Sequence, residues 1–516
     1  MSFVSNESGG GACVSRPVAG TRPRALRRLG QGLCLAGALA CAFPTLPAFA
    51  QPIGLPSMGA ASSAELSPAV EHTLGEAIME QGRHDPTYIA DLDVNQYLTS
   101  LGRKLAAHAP QPLSQPITVF GVRDPSINAF ALPGGFIGVN SGLVVAAQSE
   151  SELAGVLAHE IGHVMQRHIA RGITQQAQGT GLMVATMIGA LLAALAGQGN
   201  LAMGVAAFGQ AATIDRQLGF SRSAEQEADR AGFQMMRQAG FDPRGMVDMF
   251  RRLMNASRLN EGTGGGYAST HPLSIQRLSD LENRLAELPA IAPRLDPDFW
   301  FVRARLALIQ ARSNEDRQRL QQTLKADART QQAARQAAAL YGLSWLSWKA
   351  GDSAAAGRLL DEARAVRAAP ELDILAIQLA RQQSATAAVD VSAQAWSRWP
   401  HSQGVAYERA QALQAASQDQ AAVTFLKAVV GQWPDIPEFQ QLLANSLERL
   451  GHKVEAHEVM ATYFEQTGAL PTAVEHLEQA RSLSHDFYAQ SRLDTRIRSV
   501  RERLEAQRAL LAPFKK

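Results

Sequence analysis

The 516-residue chain has only three cysteines, Cys13, Cys34 and Cys41, all within its first fifty residues. The rest can form no disulfide and offers no thiolate, so a metal site there must be built from nitrogen and oxygen ligands. Charge is also sparse: 19% of residues are charged, the net charge is +2, and no basic patch is interleaved with aromatics. That excludes the electrostatic footprint of a nucleic-acid binder. Long apolar runs are missing beyond residue 50. The stretches 182–196 and 201–212 are apolar and almost uncharged, but each falls short of the roughly 20 residues a spanning helix needs. We read 182–212 as a glycine-rich flap that covers a site or touches a membrane surface, with a transmembrane hairpin as the alternative.

The N-terminus carries an address. Arg22, Arg24, Arg27 and Arg28 form a basic region, residues 29–43 an apolar core, and Ala48-Phe49-Ala50 a small-x-small cleavage site before Gln51. The expectation is a signal peptide over 1–50 and a mature chain beginning near Gln51 in the bacterial periplasm. No cysteine follows the site, which argues against a lipid anchor. The polar stretch before Arg22 suggests a translation start later than Met1.

The most informative residues lie in Leu157-Ala-His-Glu-Ile-Gly-His-Val164. On a helix, His159 and His163 stand at i and i+4, so their rings leave one face and can share a metal. Glu160 can reach a water on the open side of that metal as general base. Leu153, Val156 and Leu157 form the apolar stripe beside them. The extended three-histidine version of the motif fails, because Gln166 and Ile169 occupy its glycine and third-histidine positions. His168 is five residues past His163, roughly 140° around the helix, and is expected to point away from the metal.

The third ligand must come from further on. In Phe220-Ser-Arg-Ser-Ala-Glu-Gln-Glu-Ala-Asp229, a second predicted helix, Glu225 and Asp229 stand one turn apart. Glu225 is the candidate ligand, and Asp229 the acceptor for the second ring N–H of a ligating histidine. Glu227 is the nearest competitor but lies off their shared face. Arg222 is placed to steady Glu225 or a neighbouring acid. Pro133-Gly134-Gly135 marks a turn between two short apolar runs, a hairpin that is either structural or an edge to which an extended substrate adds as a strand.

Together His-Glu-Ile-Gly-His, the Ser-Arg-x-x-Glu-x-Glu-Ala-Asp-Arg-x-Gly run some sixty residues later, and the stretch Ile127 to Leu143 resemble the M48 metalloproteases. The likeness is to their soluble periplasmic branch, which has a Thr-His-Pro-like motif at the distance of Thr270-His271-Pro272. It implies one zinc per chain, held by His159, His163 and Glu225, with His271 as a switching ligand that takes the position of the catalytic water. Glu160 and Asp229 are then the catalytic residues, as base and orienting acceptor.

The second half repeats. Trp399-Pro400 recurs as Trp433-Pro434, 34 residues on, and Ala356, Ala422 and Ala456 fall near multiples of the same period. Thirty-four is the tetratricopeptide period, and Leu343, Gly351, Asp352, Ala356, Leu360 and Ala363 sit where that repeat places its packing residues and turn. An irregular alanine-rich bundle is the alternative. The prolines of 288–297 mark the domain break.

The expected fold is therefore mainly α. A zincin-like helical metalloprotease domain with a small β-hairpin or edge sheet spans 51–290, a linker 291–300, and an α-solenoid of degenerate tetratricopeptide repeats 301–516. Such arrays bind segments of other proteins on a concave face. The resemblance implies a zinc endopeptidase with chaperone-like client binding. Its clients would be unfolded or stalled outer-membrane β-barrel proteins, met beside the barrel assembly machinery through the repeats. A non-proteolytic adaptor with a shut metal site and a membrane-embedded M48 enzyme are the rival readings.

Overall fold

The computed structural model describes residues 66–176, 220–259, 267, 271–289 and 297–511. The signal-peptide and flap expectations, at 1–50 and 182–212, lie outside the described residues. Among the described residues, no helix is long and apolar enough to cross a membrane.

One helix organises the first half. It runs from Glu150 to Met165 and is buried along nearly its whole length, because Leu153, Val156, Leu157 and Ile161 form one apolar face while the small Ala154, Gly155, Ala158 and Gly162 let neighbouring elements close over other sides. Its start is capped reciprocally: Ser149 Oγ accepts from Glu152 N–H at 3.2 Å, and Glu152 Oε2 accepts from Gln148 N–H at 2.8 Å. In chain order we label α1 (Pro68–Gly82), α2 (Leu92–Ala106), α3 (Ser141–Ala146), this central helix α4, α5 (His168–Gln176), α6 (Arg222–Gln238), α7 (Arg244–Leu259) and α8 (Ile275–Ala286). Helices α2, α6 and α7 pack around α4.

A three-stranded sheet completes this half. Strands β1 (Thr118–Val122), β2 (Ala129–Leu132) and β3 (Phe136–Asn140) lie in the order β1-β3-β2. The Pro133–Gly135 turn joins β2 and β3 as an antiparallel pair with Ala129 opposite Val139, while β1 runs parallel to β3. The predicted hairpin is present, and β2 is an edge strand that packs against α4.

Helix α9 (Pro297–Gln310) begins inside the stretch read as linker and is shared by two cores. Phe299, Val302 and Leu306 pack into the core around α4, whereas Phe301, Ala304 and Leu308 enter the first core of the array. The remaining helices form consecutive packed pairs: α10 (Asn314–Asp327), α11 (Ala333–Lys349), α12 (Ser353–Val366), α13 (Pro370–Gln383), α14 (Ala385–Arg398), α15 (Gln403–Ala415), α16 (Asp419–Gln432), α17 (Pro437–Arg449), α18 (Lys453–Thr467), α19 (Leu470–Leu483) and α20 (Phe487–Leu511).

The repeat period has a structural counterpart. Ala356, Ala422 and Ala456 are buried, and Ala388, between the first two, is buried in the same way. Trp399 and Trp433 end their helices with nearly the same backbone, φ/ψ of −128/59 and −130/74. Small side chains at the helix crossings let successive pairs stack closely, which is how the array builds a core from short amphipathic units.

The array docks on the first half through polar contacts. Asp93 of α2 accepts from Gly404 N–H at 3.1 Å and from Ser402 Oγ at 3.4 Å, a carboxylate at the N-terminus of α15. A Cβ at position 404 would fall 2.1 Å from the Asp93 carboxylate, so any larger residue there would push that side chain off its present contacts. Gln96 bonds the His401 carbonyl and the Gln403 N–H on either side, and Arg305 of α9 pairs with Asp91 at 2.8 Å.

Candidate metal centre

Helices α4 and α6 cross at Gly162, where a Cβ would stand 2.9 Å from the Ala228 Cα and carbonyl oxygen. The glycine of His-Glu-Ile-Gly-His thus lets the second helix approach closely enough for Glu225 to reach both histidines. His159, His163, Glu225 and His271 converge with ligand atoms all within 4.8 Å of one another.

The spacings test whether these residues fit a metal. His159 Nε2 is 3.0 Å from His163 Nε2, 3.4 Å from His271 Nδ1 and 3.5 Å from Glu225 Oε2. His163 Nε2 is 3.6 Å and His271 Nδ1 3.0 Å from Glu225 Oε1. Two atoms bound to one tetrahedral zinc at about 2.0–2.1 Å stand roughly 3.3 Å apart. These separations bracket that value, and with one ligand atom from each residue within 4.8 Å of the others the four groups lie close enough to share a single ion. The donor set, three imidazoles and one carboxylate, suits zinc.

Each histidine is oriented from behind. His159 Nδ1 lies 2.9 Å from Asp229 Oδ1, leaving Nε2 toward the cluster. Behind His163, His168 stands with its Nδ1 2.8 Å from the His163 Nδ1. His168 lies off the cluster, as expected, but not through a helical offset: α4 ends at Met165, and after Arg167 (φ 54°) His168 opens α5 and is buried against the rear of His163. Glu227 also lies off the face of Glu225 and Asp229, 3.5 Å from His168 Nε2.

Arg222 is exposed on the first turn of α6, so the steadying role expected of it falls elsewhere. Arg277, buried in the first turn of α8, bonds Asp229 through Nε and Nη2, both at 2.7 Å, and Glu225 through Nη1 at 2.6 Å. Sequence reasoning missed it. The available signal was its position: a cation in the first helical turn opposes the helix dipole and calls for acidic partners from elsewhere.

His271 sits between two rings that sequence reading also left out, Tyr267 at 4.5 Å and Phe220 at 5.5 Å between centroids, each tilted by 24°. Its Nε2 is 3.5 Å from Glu160 Oε1, and Tyr267 also lies beside the Glu160 carboxyl. His159, Glu160, His163, Glu225 and His271 are each no more than 1% exposed. His271 therefore fills the position beside Glu160.

Burial favours neutral forms here, and partners decide the exceptions. Burial raises Glu160 above the usual carboxylate range. It also lowers His163 well below the usual imidazole value, helped by His159 and His271. For Glu225 burial is outweighed by His271 and His159, which hold the carboxyl well below its usual range. Asp229 is likewise held low against burial by Arg277 and His159. His159 is raised, because Asp229 and Glu225 overcome its burial.

Comparison with known proteins agrees with this geometry. The family description Peptidase family M48 matches residues 93–285. The putative beta-barrel assembly-enhancing protease of Vibrio cholerae is 40% identical over 281 residues, 52% of this chain and 55% of that protein. The beta-barrel assembly-enhancing protease of Escherichia coli K12 is 34% identical over 302 residues, 58% of this chain and 61% of that one. The mitochondrial metalloendopeptidase OMA1 of Schizosaccharomyces pombe is 37% identical over 166 residues, 32% of this chain and 46% of that one. The chain thus matches between about half and three-fifths of these relatives' own lengths. Among solved structures, yeast Tom70 covers 73% of this chain and 91% of its own at 11% identity, with a TM-score of 0.27 too low to carry an argument. The match to Peptidase family M48 falls on residues 93–285, the stretch that carries His159, Glu160, His163, Glu225 and His271.

Proposed function

We propose that the protein is a periplasmic zinc endopeptidase that binds unfolded or stalled outer-membrane β-barrel proteins, promotes their assembly and degrades those that fail. The reading rests on one observation above all: His159, His163, Glu225 and His271 converge beside a buried Glu160. A structural metal site has no use for a general base at that position. The client class comes from the names of the Vibrio and Escherichia relatives, and the helical array offers a docking surface for such chains and for the barrel assembly machinery.

In this reading His159, His163 and Glu225 hold the metal, with Asp229 and His168 behind the two rings. Bound zinc would supply Lewis acidity and lower the pKa of a water. Glu160 takes the proton of the attacking water and delivers it to the leaving amine. Strand β2, as an edge of the sheet, could accept the substrate backbone in extended form, which demands little of side-chain identity. His271 restrains the site, since it stands where water or substrate must enter.

A second reading, a client-binding adaptor whose site stays shut, is favoured by the position of His271. Zinc content and cleavage of casein or an unfolded barrel separate the two, measured on protein lacking the first 50 residues. We expect one zinc, loss of cleavage in Glu160→Gln with metal retained, and higher cleavage in His271→Ala. Zinc without cleavage in any of the three proteins would support the adaptor.

A further inference from the structure

Arg277 touches more than the two carboxylates. Its Nη1 also donates to the Pro272 carbonyl at 3.0 Å, immediately after His271 in the chain. The guanidinium is 3% exposed and spends its donor fork on three groups: Asp229 in bidentate fashion, Glu225, and the backbone of the His271 segment. That segment has a second tether, because Tyr267 N–H donates to the Ile127 carbonyl at 3.1 Å, just before β2, and His271 N–H donates to the Tyr267 carbonyl at 2.8 Å.

We propose that Arg277 is a positioning residue that holds the metal-binding carboxylate and the His271 segment with one side chain, so that withdrawal of His271 and the setting of Glu225 are coupled. The proposal rests on the metallopeptidase reading and adds how its restraint is wired. If Arg277 served only to neutralise two buried acids, a lysine of the same charge would suffice and the Pro272 contact would be incidental. A planar fork that reaches three groups at once is the property lysine lacks. Movement of Pro272 away from Arg277 frees a donor beside Glu225, and rotation of Glu225 pulls on the same guanidinium.

The test compares wild type, Arg277→Lys, His271→Ala and the double variant as zinc-loaded protein, with circular dichroism to confirm folding. Two readouts apply: zinc loss to a chromophoric chelator, and hydrogen exchange of the peptide containing the His271 amide. We expect Arg277→Lys to keep about one zinc yet release it roughly 10–100-fold faster, the usual range for an outer-shell change, and to exchange the His271 amide at least about tenfold faster. On the His271→Ala background, the effect of Arg277→Lys on zinc release should shrink by about threefold or more, the signature of coupling. Wild-type exchange and release rates in folded Arg277→Lys, or a fully additive double variant, would overturn the proposal. Neither readout uses cleavage, so a chain inactive on every substrate would refute the protease reading without touching this test.

Discussion

His168 stands directly behind His163, their Nδ1 atoms 2.8 Å apart, and hands its own Nε2 to Glu227 at 3.5 Å. A ligating imidazole is normally fixed from the rear by a carboxylate or a carbonyl. His159 follows that pattern with Asp229, whereas His163 uses a second imidazole. The two arms of the His-Glu-Ile-Gly-His motif are therefore held by groups of different charge.

From this we expect His168→Ala to weaken zinc binding by about 10–100-fold, with less effect on folding than loss of a ligand. Asn in its place retains a polar group for the His163 ring and should recover part of the affinity. Competition with a metal-binding dye checks this; wild-type affinity in His168→Ala would mean His163 needs no partner.

Gly162 sets the distance between α4 and α6. Gly162→Ala forces a Cβ against the Ala228 backbone, which neither helix can relieve by turning a side chain. We expect about 1–3 kcal/mol of destabilisation, together with weaker metal binding as Glu225 is pushed from the histidines. Chemical denaturation and zinc titration measure the two effects separately. An unchanged midpoint would show that the crossing is looser than it looks.

At the junction with the array, burial and neighbouring Asp91 push Asp93 up to about 7. An unfolded aspartate titrates near about 3.9. Between those values the folded protein holds a proton that the unfolded chain does not, so stability should rise as pH falls from about 7 toward about 4. Asp93→Asn keeps an acceptor oxygen for Gly404 N–H and Ser402 Oγ without the charge. The variant should melt higher than wild type at pH 8 and show a smaller difference in Tm between pH 8 and pH 5.5. An unaltered difference would remove Asp93 from the pH response.

Asp373 is an anchor inside the array. Buried to 4% exposure, it accepts from Trp399 Nε1 at 2.8 Å, Arg364 at 2.7 Å and Arg398 at 2.9 Å. Asp373→Ala leaves the Trp399 indole N–H unpaired and returns the partly exposed Arg364 and Arg398 to solvent, and we expect a loss of about 1–3 kcal/mol. Trp399→Phe removes one bond and should cost about 1 kcal/mol. Thermal unfolding of both variants gives the comparison, and equal losses would show that the indole bond carries most of the effect.

Local patterning made much of this molecule readable in advance. His159, Glu160 and His163 are placed by helical spacing alone, because i and i+4 positions share a face whatever surrounds them. The same rule paired Glu225 with Asp229, and the 34-residue period announced stacked helix pairs before any were seen. Pro133-Gly134-Gly135 marked the turn between β2 and β3. Tertiary structure decided everything that depends on residues far apart in the chain. Arg277 and not Arg222 meets the acidic pair, since α8 packs against α6 while the Arg222 side chain is exposed at the start of α6. Tyr267 and Phe220 enclose His271 because separate segments bring their rings together, and α9 belongs to two cores because its opposite faces meet different neighbours. A sequence displays periodicity, which the backbone enforces locally; which buried charge finds which partner is settled only when packing removes the water that would otherwise serve every one of them.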